Sequence, residues 1–280
     1  MSRRFTKMHG LGNDFVVLDE RRQPFAAGRD HIRAMADRHR GIGFDQLLTV
    51  GTARDPAHAC RYGIWNADGE PVGQCGNGVR CVAAWLHRDG ALALDRTVRL
   101  ESPSGVVGVR LDDPLTVAVE MGEPNFEPAA IPFDAAQAAD SHAIDVDGHS
   151  LAIGAVSMGN PHAVVEVAEL YDAAVEALGP ALTAHPRFAA GCNAGFVQVR
   201  ARDAVDLRVH ERGSGWTRAC GTGACAAMAV LRRAGRVDAD VAVTLPGGTL
   251  SIHWPGPGHP LWMTGPAAFV FEGEWPDGHA

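Results

Sequence analysis

The sequence predicts a mixed α/β fold made of two similar domains that arise from an internal duplication. Three observations support this prediction. Strand-like segments outnumber helical ones, they follow one another too closely for each to carry a crossover helix, and one set of motifs occurs twice in the same order. The 280 residues are 46% hydrophobic and 21% charged, which is an ordinary globular composition. At this length two domains are a better expectation than one large core.

The elements are predicted from local patterning. Short apolar runs between glycine, proline and aspartate indicate strands at 98–111, 115–122, 162–167 and 241–254. Lys7 lies in a further strand near the start. Apolar residues spaced three and four apart predict helices over 30–40, 80–89, 168–178 and 224–233. The segment 122–150, with several prolines and alanines, is expected to be a connection.

Charge and hydropathy exclude several classes of protein. The net charge is −8 and offers no basic surface for nucleic acid or an anionic membrane. No apolar stretch reaches the roughly 18 residues of a membrane helix, and charge and glycine interrupt the start before a signal-peptide core develops. We therefore expect a cytoplasmic protein with a small-molecule partner, neither nucleic acid nor membrane. Its six cysteines are then expected to be reduced.

The basic residues restrict the chemistry. Of 25 basic residues, Lys7 is the only lysine. A Schiff-base cofactor requires a lysine, and Lys7 lies in a strand outside any recognisable cofactor loop. We therefore expect no Schiff-base cofactor. We also expect no other cofactor and no metal.

The duplication is visible in the motifs. The segments CGNGVRC and CGTGACA begin at Cys75 and Cys220, 145 positions apart. Upstream, Asn13 in LGNDF corresponds to Asn160 in MGNPH. Asn66 and Glu211 each precede their cysteine by nine residues. Such a nearly constant register indicates two copies of one unit of about 145 residues.

Each motif places a cysteine before Gly-x-Gly and a helix. A thiol at a helix N-terminus is favoured as a thiolate, and the glycines allow a ligand to approach the backbone. If the two copies face each other about a pseudo-twofold axis, Cys75 and Cys220 flank one pocket. Inverting a stereocentre needs a base on one face and an acid on the other, and two thiols that differ only in protonation fit this requirement.

Other interpretations use the same residues. Cys81 and Cys225 fall inside the predicted helices among small apolar residues and are expected to pack in the core. A metal or redox protein is an alternative, but the cysteine spacing fits zinc sites poorly and Cys-x-x-Cys is absent from the sequence. A racemase of another amino acid, similar to proline racemase, is a further alternative. The asparagines, taken singly, could be turn residues.

Seven segments together resemble the diaminopimelate epimerase family: KMHGLGNDFVVLD, GIGFDQLL, WNADGEPVGQCGNGVRC, SMGNPHAV, CNAGFV, ERGSG and ACGTGACA. They span almost the whole chain in the family's order. The resemblance implies a cofactor-independent isomerase of lysine biosynthesis that interconverts LL- and meso-diaminopimelate. It also implies a homodimer. In one departure, Trp216 stands where the family commonly has glutamate.

The resemblance also implies roles for particular residues. Cys75 and Cys220 would be the catalytic thiols, and His162 and Glu211 would tune their pKa values. The substrate-binding residues would be Asn13, Gln46, Asn66, Gly76, Asn77, Asn160, Asn193, Glu211, Arg212, Gly221 and Thr222. The implied fold has two halves, residues 1–118 with 264–280 and residues 119–263, each a curved, largely antiparallel sheet around a central helix.

Overall fold

The structure of the protein, a computed structural model that describes residues 2–26 and 28–276, consists mainly of strands. The strands are β1 (Ser2–Gly10), β2 (Asn13–Asp19), β3 (Gln46–Gly51), β4 (Cys60–Asn66), β5 (Val98–Ser102), β6 (Gly105–Asp113), β7 (Thr116–Gly122), β8 (His142–Val146), β9 (His149–Ser157), β10 (Pro161–Glu166), β11 (Asn193–Ala201), β12 (Ala204–Glu211), β13 (Gly215–Trp216), β14 (Asp240–Leu245), β15 (Gly248–His253), β16 (Leu261–Pro266) and β17 (Ala268–Pro276). The helices are α1 (Arg29–Ala36), α2 (Gly76–Arg88), α3 (Ala173–Thr183) and α4 (Gly221–Arg233), with a 3-10 turn at Pro128–Ala130. The predicted mixed α/β class is confirmed.

The chain divides into two compact units, Met1–Glu120 with Thr264–Ala280 and Met121–Met263. Each unit contains the same series of two strands, a helix, two strands, a helix and two strands. The series is β1, β2, α1, β3, β4, α2, β5, β6 in the first unit and β9, β10, α3, β11, β12, α4, β14, β15 in the second, where the two-residue β13 is inserted. The duplication therefore shows in the order of the elements as well as in the motifs.

Strand pairing follows the same scheme in both units. Hairpin neighbours such as β3 and β4, or β11 and β12, are antiparallel. The parallel pairs are β2 with β3, β4 with β5, β10 with β11 and β12 with β14. Each parallel pair is joined through one of the four helices, since parallel neighbours need a crossover connection. The close strand spacing thus correctly predicted a sheet that is largely antiparallel.

The second helix of each unit is its central helix. The part of α2 from Gly76 to Leu86 is buried, and α2 contacts β1, β2, β3 and β6. In the second unit α4 contacts β9, β10, β11, β12, β14 and β15. Small residues permit this enclosure. A Cβ atom at Gly223 would lie 2.8 Å from a methyl group of Val209, so a larger residue at this position would push the sheet away.

Several sequence predictions need correction. Helix α1 ends at Ala36, four residues before the predicted end, and α4 begins at Gly221, three residues before the predicted start. The segment 122–150 is more than a connection, because it holds the 3-10 turn, β8 and the start of β9. Helix α2 begins at Gly76, four residues before the predicted start, since packing overrides the low helix propensity of its glycines. Helix α3 begins five residues later than predicted, where the Asp172 carboxylate caps it by accepting from Ala174 N at 2.8 Å.

None of the helices in the described ranges is long and apolar enough to cross a membrane.

Candidate active site

The two repeat-related cysteines occupy the same structural position in their units. Cys75 is the N-cap residue of α2, and Cys220 is the N-cap residue of α4. Both have extended backbone conformations, and their carbonyl groups accept from Val79 N and Ala224 N at 2.9 and 3.0 Å. The first N–H groups of a helix have no intrahelical acceptor and attract negative charge. Each thiol therefore lies beside backbone donors suited to a carboxylate.

In the first unit, three predicted residues meet at the start of α2. Asn13 Oδ1 accepts from Asn77 Nδ2 at 3.3 Å and from the Cys75 thiol at 3.8 Å. Asn13 Nδ2 donates to Asp45 Oδ2 at 2.9 Å. Gly76 follows Cys75 as the first helical residue. The carbonyl side of the Asn13 amide thus faces the thiol.

The first unit also joins Gln46 to Asn66. They are directly opposite each other where β3 begins and β4 ends, and Gln46 Nε2 donates to Asn66 Oδ1 at 3.0 Å. The other amide atom, Gln46 Oε1, is buried and has no hydrogen-bond partner among the described residues. A buried acceptor without a donor is costly, so this atom is suited to receive a donor from a ligand.

In the second unit, a hydrogen-bond chain runs from His162 to Cys220. His162 Nε2 contacts Asn160 Oδ1 at 2.9 Å, and Asn160 Nδ2 donates to Thr222 Oγ1 at 3.4 Å. Thr222 Oγ1 lies 3.7 Å from Cys220 Sγ. Burial lowers the pKa of His162 to about 3, so the ring is neutral at pH 7. A neutral ring that contacts a carbonyl oxygen through Nε2 carries its proton on that nitrogen.

Cys220 and Glu211 perturb each other. Burial raises the pKa of the Cys220 thiol, and the neighbouring carboxylate of Glu211 raises it further. Burial also raises the pKa of Glu211, opposed by hydrogen bonds from Thr217 and Cys220. Together, burial and the Glu211 carboxylate raise the pKa of the Cys220 thiol by more than the helix N-terminus lowers it. In the free chain Cys220 is therefore a protonated thiol at neutral pH.

Asn193 and Arg212 lie in the same unit as Cys220. Asn193 pairs with His162 across β11 and β10, and its Oδ1 accepts from Arg212 N at 3.0 Å. The Arg212 guanidinium donates to the carbonyl of Ala190 at 2.6 Å and is exposed. Asn193 therefore fixes the backbone of Arg212, which leaves a cation near the ends of β11 and β12.

The remaining cysteines pack in the core. Cys81 and Cys225 are fully buried in α2 and α4, as predicted, and burial raises the pKa of Cys81 to about 12. Cys60 and Cys192 are also buried. Among the described residues, no group of three histidine, cysteine, aspartate or glutamate side chains is arranged to hold a metal ion.

Comparison with known proteins identifies the family. The model of the diaminopimelate epimerase family matches residues 5–127 and 154–270. The chain belongs to this family. Diaminopimelate epimerase from Ectopseudomonas mendocina (strain ymp) is 51% identical over 271 residues, which cover 97% of this chain and 98% of that protein. The diaminopimelate epimerase from Pseudomonas syringae pv. tomato is 49% identical over 271 residues, which again cover 97% of this chain and 98% of that protein.

Solved structures support the fold. A hydroxyproline epimerase from Agrobacterium vitis has a TM-score of 0.70 at 18% identity, and the match covers 98% of this chain and 92% of that epimerase. A phenazine biosynthesis protein from Bacillus anthracis matches 99% of each chain with a TM-score of 0.69 at 15% identity. At these identities the likeness concerns the fold, which this diaminopimelate epimerase family member shares. As a member it is an isomerase of lysine biosynthesis.

The structure accounts for Trp216, where the diaminopimelate epimerase family commonly has glutamate. Its indole packs on Gly179 of α3, where an added Cβ atom would lie 2.5 Å from the ring. The Arg208 guanidinium lies 4.3 Å from the ring centroid, and the Phe196 ring lies 5.8 Å away. Trp216 therefore covers the core between α3 and the sheet.

Sequence reasoning missed three polar residues that contact the predicted ones in this family member. Asp45 binds Asn13, Arg80 binds Asn77, and Thr217 binds Glu211. Asp45 immediately precedes Gln46 and Arg80 lies in the first cysteine motif, so both were within recognised segments. Thr217 lies between two motifs, and nothing in the sequence pattern marks it.

Proposed function

We propose that Cys75 and Cys220 are the two acid/base thiols of a cofactor-independent epimerase that interconverts LL- and meso-diaminopimelate. The observation that carries this proposal is the equivalent placement of the thiols, each the N-cap of a central helix. A thiolate removes the proton from the α-carbon on one face, and the C–H electrons pass to the adjacent carboxylate. The other thiol donates its proton to the opposite face, which inverts the centre.

The protonation states of the two thiols follow from the surroundings of Cys220 in the second unit. Burial and the Glu211 carboxylate keep Cys220 protonated. Cys220 is therefore the proton donor in the direction of the reaction in which the Cys75 thiolate is the base. Product formation leaves Cys220 ionised and Cys75 protonated, and the reverse reaction exchanges the roles. Helix N-terminal N–H groups stabilise the negative charge that develops on the substrate carboxylate.

The proposed binding residues supply donors and acceptors for a zwitterionic substrate. Backbone N–H groups of Gly76, Asn77, Gly221 and Thr222 bind the reacting carboxylate. Gln46 Oε1, which is buried without a partner among the described residues, accepts from a substrate ammonium group. The other proposed contacts are made by Asn13, Asn66, Asn160, Asn193, Glu211 and Arg212.

The proposal extends to organisation and location. The two compact units are the two epimerase halves. The protein works in the cytoplasm as a homodimer without nucleic-acid or membrane partners. Sedimentation at several protein concentrations tests the dimer, and a concentration-independent monomer would refute it.

A stereochemical assay tests the reaction. We expect LL-diaminopimelate to be converted to the meso isomer in reducing buffer without added cofactor, whereas proline and glutamate are unchanged. In heavy water, the product acquires deuterium at the α-carbon. Cys75→Ser and Cys220→Ser should each abolish turnover, whereas Cys81→Ala in the core of α2 is the matched control that retains it.

Specific outcomes overturn the proposal. Full activity in either serine variant refutes the two-thiol mechanism. Racemisation of proline in place of diaminopimelate indicates the alternative racemase function. Stoichiometric zinc in the purified, inactive protein would support a metal-binding role. The mechanism also requires the thiols to reach opposite faces of one carbon, so we expect mild oxidant to inactivate the enzyme reversibly.

A further inference from the structure

Four side chains in the first unit form a directional hydrogen-bond relay that passes beside Cys75. Arg80 Nη2 donates to Asn77 Oδ1 at 2.8 Å, and Asn77 Nδ2 donates to Asn13 Oδ1 at 3.3 Å. Asn13 Nδ2 then donates to Asp45 Oδ2 at 2.9 Å. The Cys75 thiol contacts the relay at Asn13 Oδ1.

The charged ends of the relay determine its direction. A guanidinium is only a donor and an ionised carboxylate is only an acceptor, whereas an amide can present either side. Arg80 is fully buried and also donates to the carbonyl of Pro266 at 3.1 Å. With a donor at one end and an acceptor at the other, the Asn13 carbonyl is turned toward Cys75. Rotating the Asn13 amide would set oxygen against the Asp45 carboxylate and NH2 against the NH2 group of Asn77.

Asp45 is itself held firmly. The Asp45 carboxylate accepts from Asp14 N at 3.1 Å, and the Asp14 carboxylate accepts from Asp45 N at 3.0 Å. Arg38 donates to both carboxylates at 2.7 Å. Lys7, the only lysine of the chain, donates to Asp14 at 2.6 Å and to the carbonyl of Gly43. Burial would raise the pKa of Asp14, but the Arg38 and Lys7 hydrogen bonds hold it well below its usual range.

In the second unit the corresponding amide, that of Asn160, has the opposite orientation. There His162 contacts Asn160 Oδ1, and the Asn160 NH2 group points to Thr222 beside Cys220. Asn13 therefore presents a carbonyl to the surroundings of its thiol, whereas Asn160 presents an NH2 group. The surroundings of the two thiols thus differ, because the two equivalent asparagines have different hydrogen-bond partners.

We propose that Asp45 is a positioning residue that fixes the Asn13 amide with its carbonyl toward Cys75, and so favours the protonated form of this thiol, which is the form that Cys75 takes when it is the proton donor. The importance of this orientation for catalysis rests on the proposed function, whereas the orientation itself does not depend on that function. Asp45 acts through Asn13 and makes no contact with the reacting atoms.

Alkylation of Cys75 without substrate tests this role. The Cys75-containing peptide is quantified by mass spectrometry after brief iodoacetamide treatment at a series of pH values, which gives the apparent pKa of the thiol. Asp45→Ala and the similarly sized Asp45→Leu should lower this pKa by about one unit, because neither side chain can accept from Asn13 and the thiol then loses a fixed acceptor. Tyr62 and Cys81 also interact with Cys75, and burial raises the pKa of both, so both should stay neutral at the pH values where an ordinary thiol ionises.

A double-mutant cycle separates orientation from charge. Removing the Asp45 charge could lower the thiol pKa directly, and that effect would persist in an Asn13→Ala background. If Asp45 acts through Asn13, Asp45→Leu has no further effect in that background. Arg38→Ala is the matched control, because it removes the ion pair to Asp45 but leaves the bond to Asn13, and the pKa should not fall.

The outcomes are distinct. An equal shift with and without Asn13, or an unchanged Cys75 profile in folded Asp45→Leu protein, overturns the proposal. Circular dichroism identifies variants that fail to fold, and Asp45→Leu, which is closer in size to aspartate, serves if Asp45→Ala does not fold. If the wild-type chain does not epimerise diaminopimelate, the proposed function fails while the alkylation profile still decides the role of Asp45.

Discussion

The Thr217 hydroxyl donates to Glu211 Oε1 at 2.5 Å, beside Cys220. This bond opposes the effect of burial, which by itself favours a protonated Glu211. Thr217→Val keeps the shape and removes the donor. We expect the pKa of Glu211 to rise by about one unit, which moves the acid limb of the kcat/KM profile for epimerisation to higher pH.

Thr217→Ser is the matched control for this prediction, because it keeps the hydroxyl and should retain the wild-type acid limb. Since a neutral Glu211 no longer repels a thiolate, Thr217→Val should also make Cys220 easier to alkylate near neutral pH. A uniform loss of activity with no change in the pH profile would show that Thr217 is only structural.

His162 should make the free energy of unfolding depend on pH. Its pKa is about 3 in the folded chain, against 6.5 for an ordinary histidine. Between these values the unfolded chain binds a proton that the folded chain does not, so stability rises with pH. Lowering the pH from 7 to 5 should cost about 2 kcal/mol through this group alone. Urea titrations of wild type and His162→Gln at both pH values measure the difference.

In His162→Gln the side chain keeps a donor for Asn160 but no longer titrates. The pH-dependent loss of stability should therefore be smaller than in wild type by the same amount, whatever the stability of the variant at pH 7. An identical loss in both proteins would contradict the buried, neutral state of His162.

Much of the fold was predictable because the duplication constrains it. Motifs repeated in register predicted two similar units, and close strand spacing predicted a mainly antiparallel sheet with few crossovers. The start of α2 was less predictable from local pattern, because Gly76, Asn77 and Gly78 are poor helix formers. They are helical because strands enclose them.

The candidate site was predictable only where a motif marked it. Cys75 and Cys220 at the helix starts follow directly from Cys-Gly-x-Gly. The orientation of the Asn13 amide depends on Asp45 across 32 positions of sequence, and the environment of Glu211 depends on Thr217. Such side-chain pairings require the folded arrangement, because the residues that meet are set by strand register and turn geometry.

Cys75 should be the first cysteine to react in the native protein. All six cysteines lie in the described ranges, and Cys75 alone is half-buried whereas the others are buried. Limited iodoacetamide treatment at pH 8, followed by peptide mapping, should label Cys75 before Cys220, whose thiol pKa is raised by burial and by Glu211. Core residues Cys81 and Cys225 are internal controls that should react only after unfolding. Equal labelling of all six in folded protein would contradict the described burial.

Trp216 and Gly179 should be coupled energetically. In a helix, Gly→Ala ordinarily gains about 1 kcal/mol, but an alanine Cβ at Gly179 would lie 2.5 Å from the Trp216 indole. Because that ring also packs on Arg208 and Phe196, it cannot move freely, and Gly179→Ala should lower the free energy of unfolding by about 1–3 kcal/mol. In a Trp216→Glu background, which restores the common family residue, the same change should be neutral or stabilising. Urea unfolding of the four proteins measures the coupling, and an equal effect of Gly179→Ala in both backgrounds would show that the indole does not require the glycine.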